Sequence, residues 1–296
     1  MKKLYLIAIC ILFSGVLYAQ NFSFDGKYYP DLYSTVDYLI FNGNSISYKY
    51  ESYEPKDAKE EISVACKKIY KDGLLFLQMA KRFPYSITEC RKDVPASDCL
   101  LVLAGRSMFS HGYEVLLFVE TSDFNDPYPF ICPSIKFVDL VLREYEDCSS
   151  YLVEGDREYK VENLCNCKMA TPWVEGAPGS GIGEGFTIKK QNYSQAVPSS
   201  LLIMNGYISC EKPYLYKQNN RIKKIKVTGV KSGKSKILDV LDTPHPQTVD
   251  ISFITEPEDI RVEIADVYRG TKYDDTCINF CVTYYDKVIP YENTVR

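Results

Sequence analysis

The sequence predicts a mainly β protein, an N-terminal antiparallel meander or small barrel followed by a β-sandwich. Three observations carry this expectation. The chain holds 25 Tyr and 14 Phe against a single Trp, a balance that suits pleated, half-buried surfaces. Short apolar and β-branched runs recur between turn pairs such as Asn42-Gly43 and Asp72-Gly73, the pattern of hairpins. Near Glu146 the composition shifts, and a second series of short strands begins, punctuated by Gly, Pro and polar turns.

The first 19 residues read as a leader. Lys2 and Lys3 precede an apolar run over residues 4–17, and small Ala19 stands before Gln20. A short basic region, an apolar core and a small residue at the cleavage point make a secretory signal. The run is shorter than the roughly 20 residues of a spanning helix, and no second long apolar stretch follows. Export is therefore expected, to the periplasm, the cell surface or the medium. The chain has 35 basic and 39 acidic side chains, net −4, and loss of Lys2 and Lys3 makes it −6. An acidic chain has no general attraction for nucleic acid or anionic lipid. The roughly 277 remaining residues are enough for two domains, each with its own core.

Residues 20–145 form the first expected domain. Residues 36–41 and 45–50 flank Asn42-Gly43-Asn44, where positive φ is cheap. Residues 61–70 alternate, with Ile62, Val64, Cys66 and Tyr70 on one face, and Asp72-Gly73 turns them into residues 74–79. Residues 99–104 and 113–120 make another apolar pair around Ser110-His111-Gly112. Closure into a barrel would remove the sheet's edges. The opening Phe24-Asp25-Gly26-Lys27-Tyr28-Tyr29 resembles the first strand of lipocalin-like barrels. Ile135, Val138, Val141, Leu142 and Tyr145 fall at helical spacing, so a short closing helix is expected.

Residues 146–296 form the second. Residues 201–204, 222–227, 249–254 and 261–265 are short β-branched runs whose spacing argues for a sandwich. The motifs stand in a fixed order: Thr171-Pro172-Trp173-Val174-Glu175-Gly176, Gly179-Ser180-Gly181-Ile182-Gly183-Glu184, Asn205-Gly206-Tyr207, Leu215-Tyr216, Asn219-Asn220-Arg221-Ile222-Lys223-Lys224, and Tyr268-Arg269-Gly270-Thr271-Lys272-Tyr273-Asp274-Asp275-Thr276-Cys277-Ile278. Together they resemble the NADase-type glycan-binding domain, a discoidin-like (galactose-binding-like) β-sandwich. The resemblance implies a non-catalytic domain and no cofactor. It departs from the family at Asn166-Cys167, where an Asp-Gly pair is usual, so bound calcium is not expected.

Each candidate residue has a plainer alternative. The glycines from Gly176 to Gly185 lack the Lys-Ser or Lys-Thr and helix of a phosphate loop, and read as a tight loop. Glu175 and Glu184 could flank a glycosidic bond as paired carboxylates, or accept N–H bonds from that loop. Trp173 could stack on a sugar or sit in the core. Asn205, Tyr207, Tyr216, Asn219, Asn220 and Arg221 offer aromatic surface, amides and a planar cation, the means of recognising hydroxyl or carboxylate groups; the alternative is a turn and a surface ion pair. The basic run from Arg221 to Lys236 could meet an acidic sugar, or be the wet side of a strand. His111 and His245 lie in no nucleophile motif.

Ten cysteines follow the leader, which favours disulfides in an exported chain. Cys165-Asn166-Cys167 and Cys277 to Cys281 lack zinc-site spacing. Cys90 and Cys99 are the preferred local pair; Cys148, Cys165, Cys167, Cys210, Cys277 and Cys281 form the second group, and no bridge is expected between residues before Cys148 and those after it. The reading is a carbohydrate-binding protein with a glycan or glycoconjugate as partner. Its alternatives are an adhesion or interaction protein that contacts a cell-surface protein and, third, a glycoside hydrolase.

Overall fold

Tight turns order the first half. The computed structural model describes residues 25–30, 36–50, 61–83, 97–107, 114–121, 128–131, 144–165, 171–190, 196–285 and 287–290. The expected leader, His111, Cys90, Cys132, Asn166 and Cys167 lie outside these residues. So does most of the expected helix; Tyr145, its last residue, is instead in a strand.

The first half contributes eight described strands to the first sheet: β1 (Gly26–Pro30), β2 (Val36–Asn42), β3 (Ser45–Tyr50), β4 (Ile62–Lys71), β5 (Leu74–Phe83), β6 (Ser97–Ser107), β7 (Glu114–Thr121) and β8 (Tyr128–Ile131). Each pairs antiparallel with the next, and β8 returns to β1, so the meander closes into a barrel. Closure pairs the first strand with the last, so neither presents a long open edge. Gly43 (φ 57°) makes the first hairpin, and its N–H donates to Asp25 Oδ1 at 2.7 Å. Alternation sends Phe41, Ile46, Val64, Leu75, Leu77, Met79, Val102 and Ala104 to one face, and all are buried. Leu74, Phe76, Leu101 and Leu103 point to the other face and are buried too. That second face needs a cover.

The cover is the second half. Its strands are β9 (Tyr145–Glu146), β10 (Val153–Glu154), β11 (Arg157–Glu158), β12 (Trp173–Val174), β13 (Gly185–Ile188), β14 (Ser200–Asn205), β15 (Asn220–Gly229), β16 (Ser235–Asp239), β17 (Gln247–Asp250), β18 (Ile260–Tyr268) and β19 (Thr276–Tyr284). One layer runs β17-β14-β19, with β12 also on β19; the other runs β15-β18-β13-β9, with β16 on β15. A short parallel pairing, Asn220 to Thr276 and Arg221 to Cys277, joins them. Between the layers lie Leu201, Ile203 and Cys281 from one side and Phe186, Ile222, Ile225, Val262 and Ile264 from the other. The outer face of β14 and β19 presents Leu202, Met204, Phe280, Val282 and Tyr284, which form one core with Leu74, Phe76, Leu101 and Leu103 of the barrel. Each such side chain contributes roughly 1.5–3 kcal/mol by leaving water.

The end of the chain fastens this seam. Strand β20 (Val288–Pro290) leaves the sandwich and pairs with β6 at Ser107, Arg106 and Gly105. Ala104 N–H donates to buried His245 Nδ1 at 3.2 Å, and Thr248 and Val288 exchange two hydrogen bonds of 2.8 and 3.1 Å. A side chain at Gly105 would lie 2.6 Å from Val288 Cγ1 and 2.8 Å from the Pro246 carbonyl. Gly105→Val is therefore expected to push β20 off β6 at a cost of about 1–3 kcal/mol. Hydrogen exchange at the Val288 and Ile289 amides reads this, and unchanged protection would contradict it.

The cysteines depart from expectation. Cys66, Cys148, Cys277 and Cys281 carry thiols rather than disulfides. Cys148 donates to the Ser150 carbonyl at 3.1 Å and Cys165 to that of Glu162 at 3.6 Å, while Cys210 packs against the seam core. Four residues of strand place Cys277 and Cys281 about 13 Å apart, too far for a bridge or a shared metal ion. Both are buried and act as small apolar side chains.

Candidate functional site

Most of the sequence-chosen polar residues lie inside the sandwich. Trp173 is fully buried against Phe186, ring centroids 5.2 Å apart, and donates Nε1–H to the Ser150 carbonyl at 3.1 Å. It is core, without a free face for a sugar. Asn205 is also fully buried: Nδ2 donates to the Ile222 and Leu241 carbonyls at 2.7 and 3.1 Å, and Oδ1 accepts Ile222 N–H at 2.9 Å. It holds β14 and β15 together where the register of β14 with β19 slips. Gly206 follows at φ +90°, and any Cβ there would strike the Tyr216 ring and Arg221 Cγ, so the Asn-Gly pair is required by packing.

Arg221 braces the wall of this end of the sandwich. Its Nε meets Asp242 Oδ1 at 2.6 Å and its Nη2 meets Oδ2 at 3.0 Å; Nη1 donates to the carbonyls of Tyr216 at 3.2 Å and Asn219 at 3.0 Å. The fork thus ties β15 to the short helix α1 (Leu215–Gln218). Tyr216 is buried, its hydroxyl 3.3 Å from Asp242 and its ring beneath the Asp72-Gly73 turn of the barrel. Asn220 is fully buried, accepts Gly270 N–H at 2.7 Å and donates to the Asp274 carbonyl. The amides of Thr271, Lys272 and Tyr273 donate to carbonyls of Lys217 and Gln218. Loop 269–275 therefore rides on α1.

The two glutamates brace a different corner. Glu175 is fully buried, accepting Thr276 N–H at 3.2 Å and Ala177 N–H at 2.9 Å, with Gly181 pressed against its side chain. Burial pushes its carboxyl up to about 7 although those amides pull it down. Hydrogen bonds from the Ser149 and Ser150 hydroxyls hold the Glu184 carboxyl below the usual range. Neither is among the residues that line the cleft beside α1. Much of the basic run is paired as well: Lys223 meets Asp266, Lys224 meets Asp239, Lys226 meets Glu263 and Lys231 meets Glu256, at 2.8 to 3.0 Å, while Lys234 donates to Thr255 Oγ1 and Lys236 lies over the Phe253 ring.

What these braces support is a cleft of about 200 Å³ between the β10–β11 hairpin, the loop before α1, and loop 269–275. Leu152, Val174 and Leu215 line its depth, and Tyr159 and Tyr207 meet edge to face at 6.1 Å. Of the sequence-chosen residues Tyr207 and Asn219 reach the cleft; Tyr207 is 7 % exposed, and burial pushes its phenol up. Tyr214 and Tyr273 stand at the rim, 42 % and 36 % exposed. Glu154, Arg157, Lys212, Asn219 and Asp275 complete the lining with donors and acceptors. Sequence reading missed Arg157, Tyr214, Tyr273 and Asp275 as site residues. Tyr273 and Asp275 fall within the last conspicuous motif, and that density of polar and aromatic residues before a strand was the available signal. Among the described residues, no three His, Cys, Asp or Glu gather as a metal site requires, and no helix is long and apolar enough to cross a membrane.

Residues 140–283 match the family described as the NAD glycohydrolase translocation F5/8 type C domain. The second half is thus a discoidin-like domain, and the family resemblance drawn from its motifs holds. No curated protein matches the chain. The family 32 carbohydrate-binding module from C. perfringens NanJ, solved in complex with galactose, is similar at 15% identity and a TM-score of 0.32, over 48% of this chain and 91% of that one.

Proposed function

We propose that the protein is an exported, non-catalytic carbohydrate-binding protein whose discoidin-like half takes one sugar ring in the cleft beside α1. The cleft's lining carries this reading. Rim tyrosines 214 and 273 offer faces to the apolar side of a sugar, and Glu154, Asp275, Arg157, Lys212 and Asn219 supply acceptors and donors for its hydroxyls. The volume of about 200 Å³ is below the roughly 300–1,000 Å³ of sites for drug-sized ligands. It suits a terminal residue of a glycan rather than a long chain. Loops at the end of a rigid sandwich are where such sites are built. The family match supports the same reading, and the basic, apolar and small-residue leader over residues 1–19 supports export.

Glu175 and Glu184, the candidate acid pair, are engaged by backbone amides and serine hydroxyls, which favours binding over glycoside hydrolysis. A glycan array probed with the intact mature chain tests the proposal. Retention of a defined set of terminal sugars is expected, with no turnover of NAD or aryl glycosides. Tyr273→Ala and Tyr214→Ala are each expected to weaken retention about tenfold, the equivalent of roughly 1 kcal/mol for one stacked ring. An array without retained glycans, or full retention by both variants, would defeat the reading.

A further inference from the structure

One charged group of the cleft has an incomplete environment. Asp275 ends loop 269–275, and its backbone is clamped on both sides. Its carbonyl accepts Asn220 N–H at 2.9 Å, and the next amide, that of Thr276, donates to Glu175 Oε1 at 3.2 Å. The carboxyl lines the cleft and is partly buried, yet it receives no hydrogen bond or ion pair from another described residue. Its own backbone N–H is the one donor it has, and a carboxylate drawn partly out of water with most of its acceptor capacity unmet is destabilising. Mounted rigidly in a cavity with aromatic walls, it has the placement of a group preorganised for a ligand.

We infer that Asp275 is the specificity-determining acceptor of the cleft, its carboxylate taking the hydrogen bonds of two neighbouring hydroxyls on the sugar ring, so that acidification releases the sugar. The inference rests on the carbohydrate-binding reading and names the group that reads the sugar. A carboxylate accepts through both oxygens, so it matches a pair of adjacent hydroxyls. Arg157 and Lys212, also without an ion pair among the described residues, supply the opposite polarity in the same cleft. A carboxylic acid accepts less well and must itself donate, so protonation breaks the match.

The surroundings decide where that happens. Glu154 faces Asp275 from β10, Asp274 adjoins it on its own loop, and Glu175 lies near behind the floor with Cys277. Arg157 on β11, Lys212 and Tyr214 before α1, Tyr273 at the rim, and Tyr159 and Tyr207 in the floor complete the titratable lining. Burial first, and then the Glu154 carboxylate, push the Asp275 carboxyl above the usual range. Release is therefore expected at a milder pH than an ordinary aspartate would set.

The test uses the mature chain with the methyl glycosides of galactose, glucose and mannose, followed by calorimetry at about pH 7.5 and about pH 4.5. Binding of at least one glycoside is expected at the higher pH, with a loss of about tenfold or more at the lower. Asp275→Asn keeps the size of the side chain and should bind about tenfold or more weakly at pH 7.5, the range for a hydrogen bond to a charged group, with the acid loss reduced. Asp274→Asn, outside the cleft, should bind as wild type at pH 7.5, with the acid loss moved to slightly lower pH because one charge that raises the Asp275 carboxyl is gone. Binding by Asp275→Asn equal to wild type would overturn the inference and leave the carbohydrate reading standing. Failure of wild type to bind any of the three glycosides would overturn both.

Discussion

Arg221→Ala is expected to destabilise the protein by about 3 kcal/mol, the largest effect of any single polar substitution here. The guanidinium is almost wholly buried, with 6% of its side chain exposed, and its partner Asp242 keeps 30%. Removing the cation strands that carboxylate and frees the Tyr216 and Asn219 carbonyls in the interior. Breaking a buried pair costs roughly 3–5 kcal/mol; the partial exposure of Asp242 places the expectation at the lower end. Burial pushes the Asp242 carboxyl up, and the Arg221 guanidinium more than reverses this, holding it below the ordinary range. A carboxyl with a depressed folded value stabilises above its unfolded value and loses that contribution as pH falls. Arg221→Ala should therefore lose part of the acid sensitivity along with the stability. Arg221→Lys keeps the charge without the planar fork and should lose an intermediate amount. Urea unfolding measures all three, and an alanine variant within about 0.5 kcal/mol of wild type would refute the bracing role.

The second large effect is a pH dependence centred on Glu175. Its folded carboxyl titrates at about 7 against an ordinary 4.5, so the folded state holds the proton more tightly than the unfolded one. Its contribution is complete below about pH 4.5 and is lost as pH rises through about 7. A shift of this size corresponds to roughly 3 kcal/mol at most. Glu175→Gln stays neutral at every pH and should flatten that loss. The amide has one acceptor where the carboxyl has two, so either Ala177 or Thr276 N–H loses a partner and the variant starts lower by roughly 1 kcal/mol. The decisive quantity is the change in stability between about pH 5 and about pH 8, wild type against variant. Equal changes in both proteins would sink the assignment.

Local chemistry made much of the architecture readable. Asn42-Gly43 and Asp72-Gly73 mark hairpins because positive φ is cheap for their residues, and the structure has turns at both. The apolar run of residues 74–79 after the Asp72-Gly73 turn marks a strand, but all of Leu74 to Leu77 are buried, and a strand buried on both faces does not say what covers it. The Tyr145 prediction failed for a related reason. Helical spacing in a short apolar run is weak information, and pairing with Ile188 of β13 made Tyr145 a strand residue.

The candidate site was legible as a region and not as residues. Asn205, Asn220, Tyr216 and Arg221 were chosen because their groups can recognise a sugar, yet the same groups serve equally well to satisfy buried backbone. Sequence alone determined that this chain is built of strands in two halves, and that the second half carries the discoidin-like motifs, since turn propensity, alternation and motif order are local properties. Only the tertiary structure decided that Arg157, Tyr214, Tyr273 and Asp275 share a cleft while Arg221 and Glu175 stand behind it. A hydrogen bond or a burial depends on which distant segment arrives opposite a side chain, and that is settled when α1, loop 269–275 and the β10–β11 hairpin pack against one another.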